Sequence, residues 1–237
     1  MNLVSLQLKT KKDFKKNLDN LLKAIKKVPK DSFILAPELC LTGYSYNKLD
    51  EADKISKKAI KKLLDISLDR TIALTMTIKK NQHYYNFFYI FSKGKIVHKQ
   101  AKNKLFVLND EKKYFTSNGE DDIRIFKVGD LKVATLICFE LRFIDYWKKL
   151  QGADIILVPS MWGKPRKKQF EILTTALAVA NQCFVIATNS ANKDMAKSSG
   201  IITPFGNSYR DDSKTILQKN VDLREIKKMR RYMNIGI

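Results

Sequence analysis

Residues 123 to 138 read Ile123-Arg124-Ile125-Phe126-Lys127-Val128-Gly129-Asp130-Leu131-Lys132-Val133-Ala134-Thr135-Leu136-Ile137-Cys138. Two β-prone runs flank Gly129-Asp130, a dipeptide that reverses a chain tightly, so the stretch predicts a β-hairpin. The period then changes. Helical spacing over about 141 to 151 leads to a strand from Ala153 to Pro159, a helix over about 167 to 180 and a strand from Cys183 to Asn189. Hairpins alone would favour an uncovered sandwich and strict alternation a parallel sheet. Their mixture predicts an α/β fold of sheets covered by helices, without fixing the strand order or the number of sheets.

The same alternation extends outward. Residues 2 to 8 alternate as a half-buried strand, and Leu18, Leu21, Leu22 and Ile25 recur at helical spacing through the lysine-rich stretch 12 to 28. Phe33 to Ala36 is a short strand ending in Pro37. Ile55, Ala59, Ile60, Leu63 and Leu64 mark a second helix, Thr71 to Ile78 a strand, and Ser92-Lys93-Gly94 a hairpin turn between Tyr84 to Phe91 and Lys95 to Lys99. Strands near Ser199 to Thr203 and Lys214 to Gln218 and a basic helix after Asp222 complete the reading.

With 237 residues, 44% of them hydrophobic, the chain has material for one substantial core, and we expect a single domain over 1–237. Cys40, Cys138 and Cys183 are odd in number and widely spaced, and there are two histidines, so neither a disulfide framework nor a zinc site is expected. No signal-like or membrane-spanning run is visible, which predicts a cytoplasmic protein with no membrane partner. Lys and Arg number 45 against 24 Asp and Glu, a formal charge of +21. Such a charge attracts phosphate backbones. The lysines, however, are scattered along polar helix faces, as in Lys57-Lys58 and Lys61-Lys62, so a solvated surface is expected and not a specific nucleic-acid site.

Three strand-end residues stand out. Glu38 follows the strand in Ile34-Leu35-Ala36-Pro37-Glu38-Leu39-Cys40-Leu41-Thr42-Gly43-Tyr44, where a carboxylate held by a rigid element can face a cleft and move protons, or simply meet water. Cys138 lies between an apolar strand and a helical run. There a helix N-terminus would favour thiolate and hold an oxyanion; the plain alternative is a buried structural cysteine. Lys102 shares its loop with Lys99 and Lys104, and the residues alone do not choose among them.

Taken together, Pro37-Glu38 with Thr42-Gly43-Tyr44, Lys102-x-x-Leu105-Phe106 and Cys138-Phe139-Glu140-Leu141-Arg142-Phe143 resemble the glutamate, lysine and cysteine motifs of the nitrilase superfamily, nearest its Nit-type amidase branch. Asn86, Gly94, Tyr114-Phe115, Pro159-Ser160-Met161-Trp162, Asn181-Gln182 and Ser199 to Gly206 keep the family's pattern as well. The resemblance implies an α-β-β-α sandwich of two mixed sheets flanked by helices, assembled as a homodimer or larger homo-oligomer. It implies hydrolysis of a small amide or carbamoyl amine without cofactor or metal, with Cys138 as nucleophile, Glu38 as general base and Lys102 stabilising the oxyanion. Nitrile hydrolysis and amide-based acyl transfer would use the same triad. A basic nucleic-acid-binding protein on a degenerate scaffold is the alternative of another class. The resemblance further implies Glu111 as an auxiliary acid and the Phe139 N–H as a second oxyanion donor. Tyr44, Met161 and Trp162 become pocket candidates. Arg142 would meet a substrate carboxylate or pair with Glu140 or Asp145. Leu177, Ala180, Ile144-Asp145 and Gln169-Phe170 depart from the family's usual residues, which bears on branch and substrate.

Overall fold

The computed structural model describes residues 1–117, 119 and 122–237. Strands β1 (Asn2–Leu6), β2 (Ser32–Leu35), β3 (Thr71–Lys80), β4 (His83–Ser92) and β5 (Lys95–Ala101) come first. A second group follows, β6 (Phe126–Val128), β7 (Leu131–Thr135), β8 (Ile155–Pro159), β9 (Phe184–Thr188), β10 (Gly200–Ile202) and β11 (Ser208–Arg210), and β12 (Ile216–Asn220) returns to β1. They make two six-stranded sheets, ordered β12-β1-β2-β3-β4-β5 and β11-β10-β9-β8-β7-β6. In each the three central strands run parallel, β1-β2-β3 and β7-β8-β9, and antiparallel strands flank them. Both sheets are therefore mixed; Glu38 and Cys138 lie just beyond β2 and β7 of the parallel centres, and Lys102 just beyond the antiparallel edge strand β5.

Helices α1 (Phe14–Lys26), α2 (Leu49–Ile66), α3 (Glu111–Tyr114), α4 (Ile144–Lys149), α5 (Lys167–Ala180) and α6 (Arg224–Tyr232) connect them. Asp13 caps α1 by accepting the Lys16 N–H at 3.0 Å. Its apolar stripe, Leu18, Leu21 and Ile25, packs with Ala59 and Leu63 of α2 on Val4, Leu6, Ile34 and Leu74. Their alternate neighbours Leu3, Phe33, Leu35 and Phe88 face the other way, into a core shared with Val133, Ile155 and Phe184 of the second sheet. The outer side of that sheet is covered by Tyr146 and Trp147 of α4 and by Phe170, Leu177 and Ala178 of α5. The fold is thus an α-β-β-α sandwich. A polar seam joins the sheets at their centre, where Ser5 Oγ lies 2.7 Å from Thr188 Oγ1 and donates to the Ala187 carbonyl at 2.9 Å. Among the described residues no helix is long and apolar enough to cross a membrane.

The predicted hairpin is present, with Gly129 at φ +60° in a two-residue turn between Val128 and Leu131. Three expectations change. The strand expected through Cys138 ends at Thr135, and the helix expected directly after Cys138 is one tight 3-10 turn, Cys138–Arg142, with α4 starting only at Ile144. The reason lies in Cys138 itself, whose φ of +51° breaks any helix or strand. The strand expected over 123 to 128 spans only Phe126–Val128. Asn81 and Gln82, at φ +48° and +65°, form a further hairpin turn, and β11 was also unforeseen. Gly200 permits the β10-β11 pairing, since a Cβ there would meet the Tyr209 carbonyl at 2.6 Å.

Candidate active site

Beyond β2, the Ala36 N–H still pairs with Ala73, Pro37 offers no N–H, and Glu38 turns to donate its N–H to Ser160 across the sheets at 3.3 Å. Leu39 takes φ +45° with its N–H held by Thr75 Oγ1 at 2.7 Å, and the Thr42 and Gly43 N–H groups fold back onto its carbonyl. This turn buries Glu38 completely and brings Tyr44 over it.

Lys102 extends β5 by one residue, its N–H donating to the Asn86 carbonyl at 2.8 Å. Its ammonium has three acceptors: Glu38 Oε1 at 2.8 Å, Glu111 Oε1 at 2.9 Å and the Tyr44 hydroxyl at 3.1 Å. That geometry selects Lys102 over Lys99 and Lys104. Burial alone would lower its pKa, but Glu38 and Glu111 together hold it above the usual lysine range, so the ammonium stays charged with no exposed surface. Burial raises the Glu111 carboxyl against the pull of Lys102. Glu111 Oε2 has no partner among the described residues, and Glu111 lines the cavity. Glu38 also accepts from Asn86 Nδ2 at 2.9 Å and from the Met161 N–H at 3.1 Å.

Cys138 opens the 3-10 turn at the end of β7 and contacts the same cavity. The expectation of a standing thiolate is corrected: burial first, then Glu38 and Glu111, raise the thiol well above its ordinary value despite Lys102.

The cavity beside Cys138 holds about 380 Å³. Tyr44, Arg142, Met161 and Trp162 line it, as do Phe106, Arg166 and Met195, which sequence reasoning did not single out as pocket residues. Arg142 pairs with neither Glu140 nor Asp145. It donates to Gln169 and lies over the Trp162 ring at 4.8 Å. Arg166 lies over Phe106 at 5.4 Å, and its carbonyl accepts the Trp162 indole N–H at 2.9 Å. Among the described residues neither guanidinium is ion-paired with a carboxylate.

Residues 3–231 match the family described as carbon-nitrogen hydrolase. The chain is 32% identical over 229 residues to a 2-oxoglutaramate amidase of Bacillus subtilis, covering 90% of this chain and 88% of that one. The chain belongs to the carbon-nitrogen hydrolase family. It is a hydrolase of carbon–nitrogen bonds other than peptide bonds. In fold it resembles a CN-hydrolase superfamily protein of Xanthomonas campestris that carries an arsenic adduct in its active site, at TM-score 0.85 and 17% identity over 98% of this chain and 94% of that one. It also resembles an amidase of Nesterenkonia sp. AN1 in which the acetamide moiety of fluoroacetamide is added covalently to the active-site cysteine, at TM-score 0.81 and 17% identity over 98% of this chain and 94% of that one.

The departures from the family's usual residues have local consequences in this hydrolase. Gln169 anchors Arg142 at the cavity wall, and Phe170 backs Trp162 at 5.6 Å between ring centroids. Leu177 is buried, whereas Ile144 is half exposed at the surface. Asn189, missed from sequence, fixes Trp162 by accepting its backbone N–H at 2.8 Å.

Proposed function

We propose that this hydrolase cleaves the primary amide of a small molecule bearing a carboxylate at its far end, through a thioester on Cys138. The observation that carries this reading is the opening of Cys138 onto a cavity lined by Glu111, which shares the buried Lys102 ammonium with Glu38, and whose wall presents Arg142 and Arg166. Apolar Phe106, Met161 and Trp162 line the same space, as a short aliphatic chain requires. The Bacillus subtilis relative is named for an amide that also carries a carboxylate, and the Nesterenkonia amidase forms an adduct at its cysteine.

Glu38 takes the thiol proton as sulfur attacks the amide carbon. The oxygen that gains the electron pair meets the Lys102 ammonium and the Phe139 N–H, and one such donor contributes roughly 3 to 4 kcal/mol to the transition state. Glu38 passes its proton to the amide nitrogen, the carbon–nitrogen bond breaks and ammonia leaves. Water, losing a proton to Glu38, attacks the thioester, and the acid departs as that proton returns to sulfur. The free Oε2 of Glu111 is placed to accept from the substrate amide.

Free Cys40, Cys138 and Cys183 suit a reducing compartment such as the cytoplasm. Exposed Ile172 and Val179 on α5, with Phe205 of the loop after β10, would be the apolar patch that meets a second copy of the chain. Ammonia release from a panel of monoamides, neutral amides, carbamoyl amines and nitriles tests the reading. Turnover of a nitrile or carbamoyl amine in preference to any amide would replace it.

A further inference from the structure

Glu140 is fully buried, and among the described residues it faces no ion-pair partner. Its carboxylate is satisfied by main-chain donors alone. Oε2 accepts the Ile137 N–H at 2.7 Å, and Oε1 accepts the Asn103 N–H and, at 3.4 Å, the Lys104 N–H. Ile137 precedes the nucleophile and belongs to the second sheet's strand end. Asn103 follows Lys102 and belongs to the first. One carboxylate thus ties the backbone of the cysteine turn to the backbone of the lysine loop, and the Tyr146 hydroxyl holds Asn103 from behind by donating to its Oδ1. A carboxylate offers acceptors only; a carboxamide of the same shape turns an NH2 toward a backbone N–H.

We infer that Glu140 is the positioning residue that fixes the Lys102 ammonium relative to the Cys138 sulfur. This inference rests on the proposed roles of Lys102 and Cys138. The Lys102 side chain is clamped at its far end by Glu38, Glu111 and Tyr44, and its near end is held on one side by the Asn86 carbonyl and on the other by Asn103, the residue Glu140 holds. Cys138 at φ +51° has no regular ladder to hold it, and its turn is closed instead by Glu140 on the Ile137 N–H. Loss of the bridge frees both loops together, and a displacement near 1 Å between reacting groups costs roughly 100-fold in rate.

The test uses full-length Glu140→Gln and Glu140→Asp, each assayed below its unfolding midpoint. Two readouts are taken: kcat and KM on an amide that the wild type hydrolyses, and the rate of Cys138 alkylation by iodoacetamide. Glu140→Gln is expected to lower kcat roughly 10- to 100-fold with KM nearly unchanged and to slow Cys138 alkylation, and Glu140→Asp to recover part of both. A folded Glu140→Gln that keeps wild-type kcat and alkylation rate overturns the inference, even where its midpoint falls, because a merely structural residue behaves that way. Should Glu140→Gln not fold, Tyr146→Phe loosens the same bridge by one hydroxyl; a lower kcat supports the inference and an unchanged one overturns it. If the wild type hydrolyses no amide, the proposed function fails, and the alkylation rates still decide the role of Glu140.

Discussion

Lys102 Nζ lies 2.8 Å from Glu38 Oε1, and neither side chain exposes any surface to solvent. Removing one member of such a buried pair leaves an uncompensated charge, at a cost of about 3 to 5 kcal/mol. The two members are not equivalent here. Lys102 neutralises Glu38 and Glu111 together, so Lys102→Met strands two carboxylates, whereas Glu38→Gln leaves the ammonium with Glu111. Both variants should lose amide hydrolysis, and urea unfolding should find Lys102→Met the less stable. Equal stability would show that Glu111 does not depend on Lys102.

Cys138→Ala should abolish turnover with little change in unfolding midpoint, because the change removes a single sulfur atom from a side chain that borders a cavity. Iodoacetamide should alkylate Cys138 ahead of Cys40 and Cys183. Burial raises all three thiols, Cys40 to about 12, so access decides the order, and of the three only Cys138 borders the cavity lined by Glu111 and Trp162. Lys102→Met removes the nearby positive charge that lowers the Cys138 pKa against Glu38 and Glu111, and should slow its labelling further. Peptide mass spectrometry after brief labelling reads the order, and Cys40 or Cys183 reacting first would refute the site geometry.

Arg166→Gln should raise KM for succinamate roughly 10- to 100-fold, the worth of a charge-assisted hydrogen bond of about 1.5 to 3 kcal/mol, and leave the kinetics of butyramide nearly unchanged. The two substrates share chain length and amide and differ in the terminal carboxylate. A wild type that prefers butyramide would remove the carboxylate from the proposed substrate and leave the amidase chemistry standing.

The +21 charge should give weak binding to nucleic acid that disappears between low and physiological salt, as solvated lysines do. Lys15, Lys16, Lys57, Lys58, Lys61 and Lys62 are exposed on α1 and α2, which fits that reading. A gel-shift titration showing sequence-selective, salt-resistant binding would contradict it.

Glu38, Lys102 and Cys138 were legible as candidates because each carries a local motif, and the structure draws Glu38 and Lys102 into one buried cluster that reaches the cavity beside Cys138 through Glu111. The layers were legible for a similar reason: alternation in residues 2 to 8 and helical spacing at Leu18, Leu21 and Ile25 report which face is buried. What stayed hidden depends on backbone that composition does not announce. Cys138, Leu39 and Gln82 take positive φ without being glycine, so a helix was read where a turn stands and a hairpin was missed. Glu140 and Arg166 were hidden for another reason. Their importance comes from groups distant in sequence, the Asn103 N–H for one and the ring of Phe106 for the other, and no local pattern encodes those meetings.

Glu140 also predicts how stability varies with pH. Burial raises its carboxyl from 4.5 to about 7, against the pull of the Ile137 and Asn103 N–H groups and of Lys102. A carboxyl whose pKa is higher in the folded chain binds its proton more tightly there, so its contribution to stability is fully present below pH 4.5 and is lost as pH rises through about 7. Across that interval the loss is on the order of 3 kcal/mol. Glu111, raised by burial, acts in the same direction, and His98, lowered by burial, acts in the opposite one, being destabilising as pH falls. Both remain in Glu140→Gln, so the difference in unfolding free energy between wild type and that variant isolates Glu140. Measured in urea from pH 4.5 to pH 8, that difference should move by on the order of 3 kcal/mol against the wild type as pH rises. A difference that stays flat would mean that Glu140 is ionised throughout, with its three backbone donors offsetting the whole cost of burial.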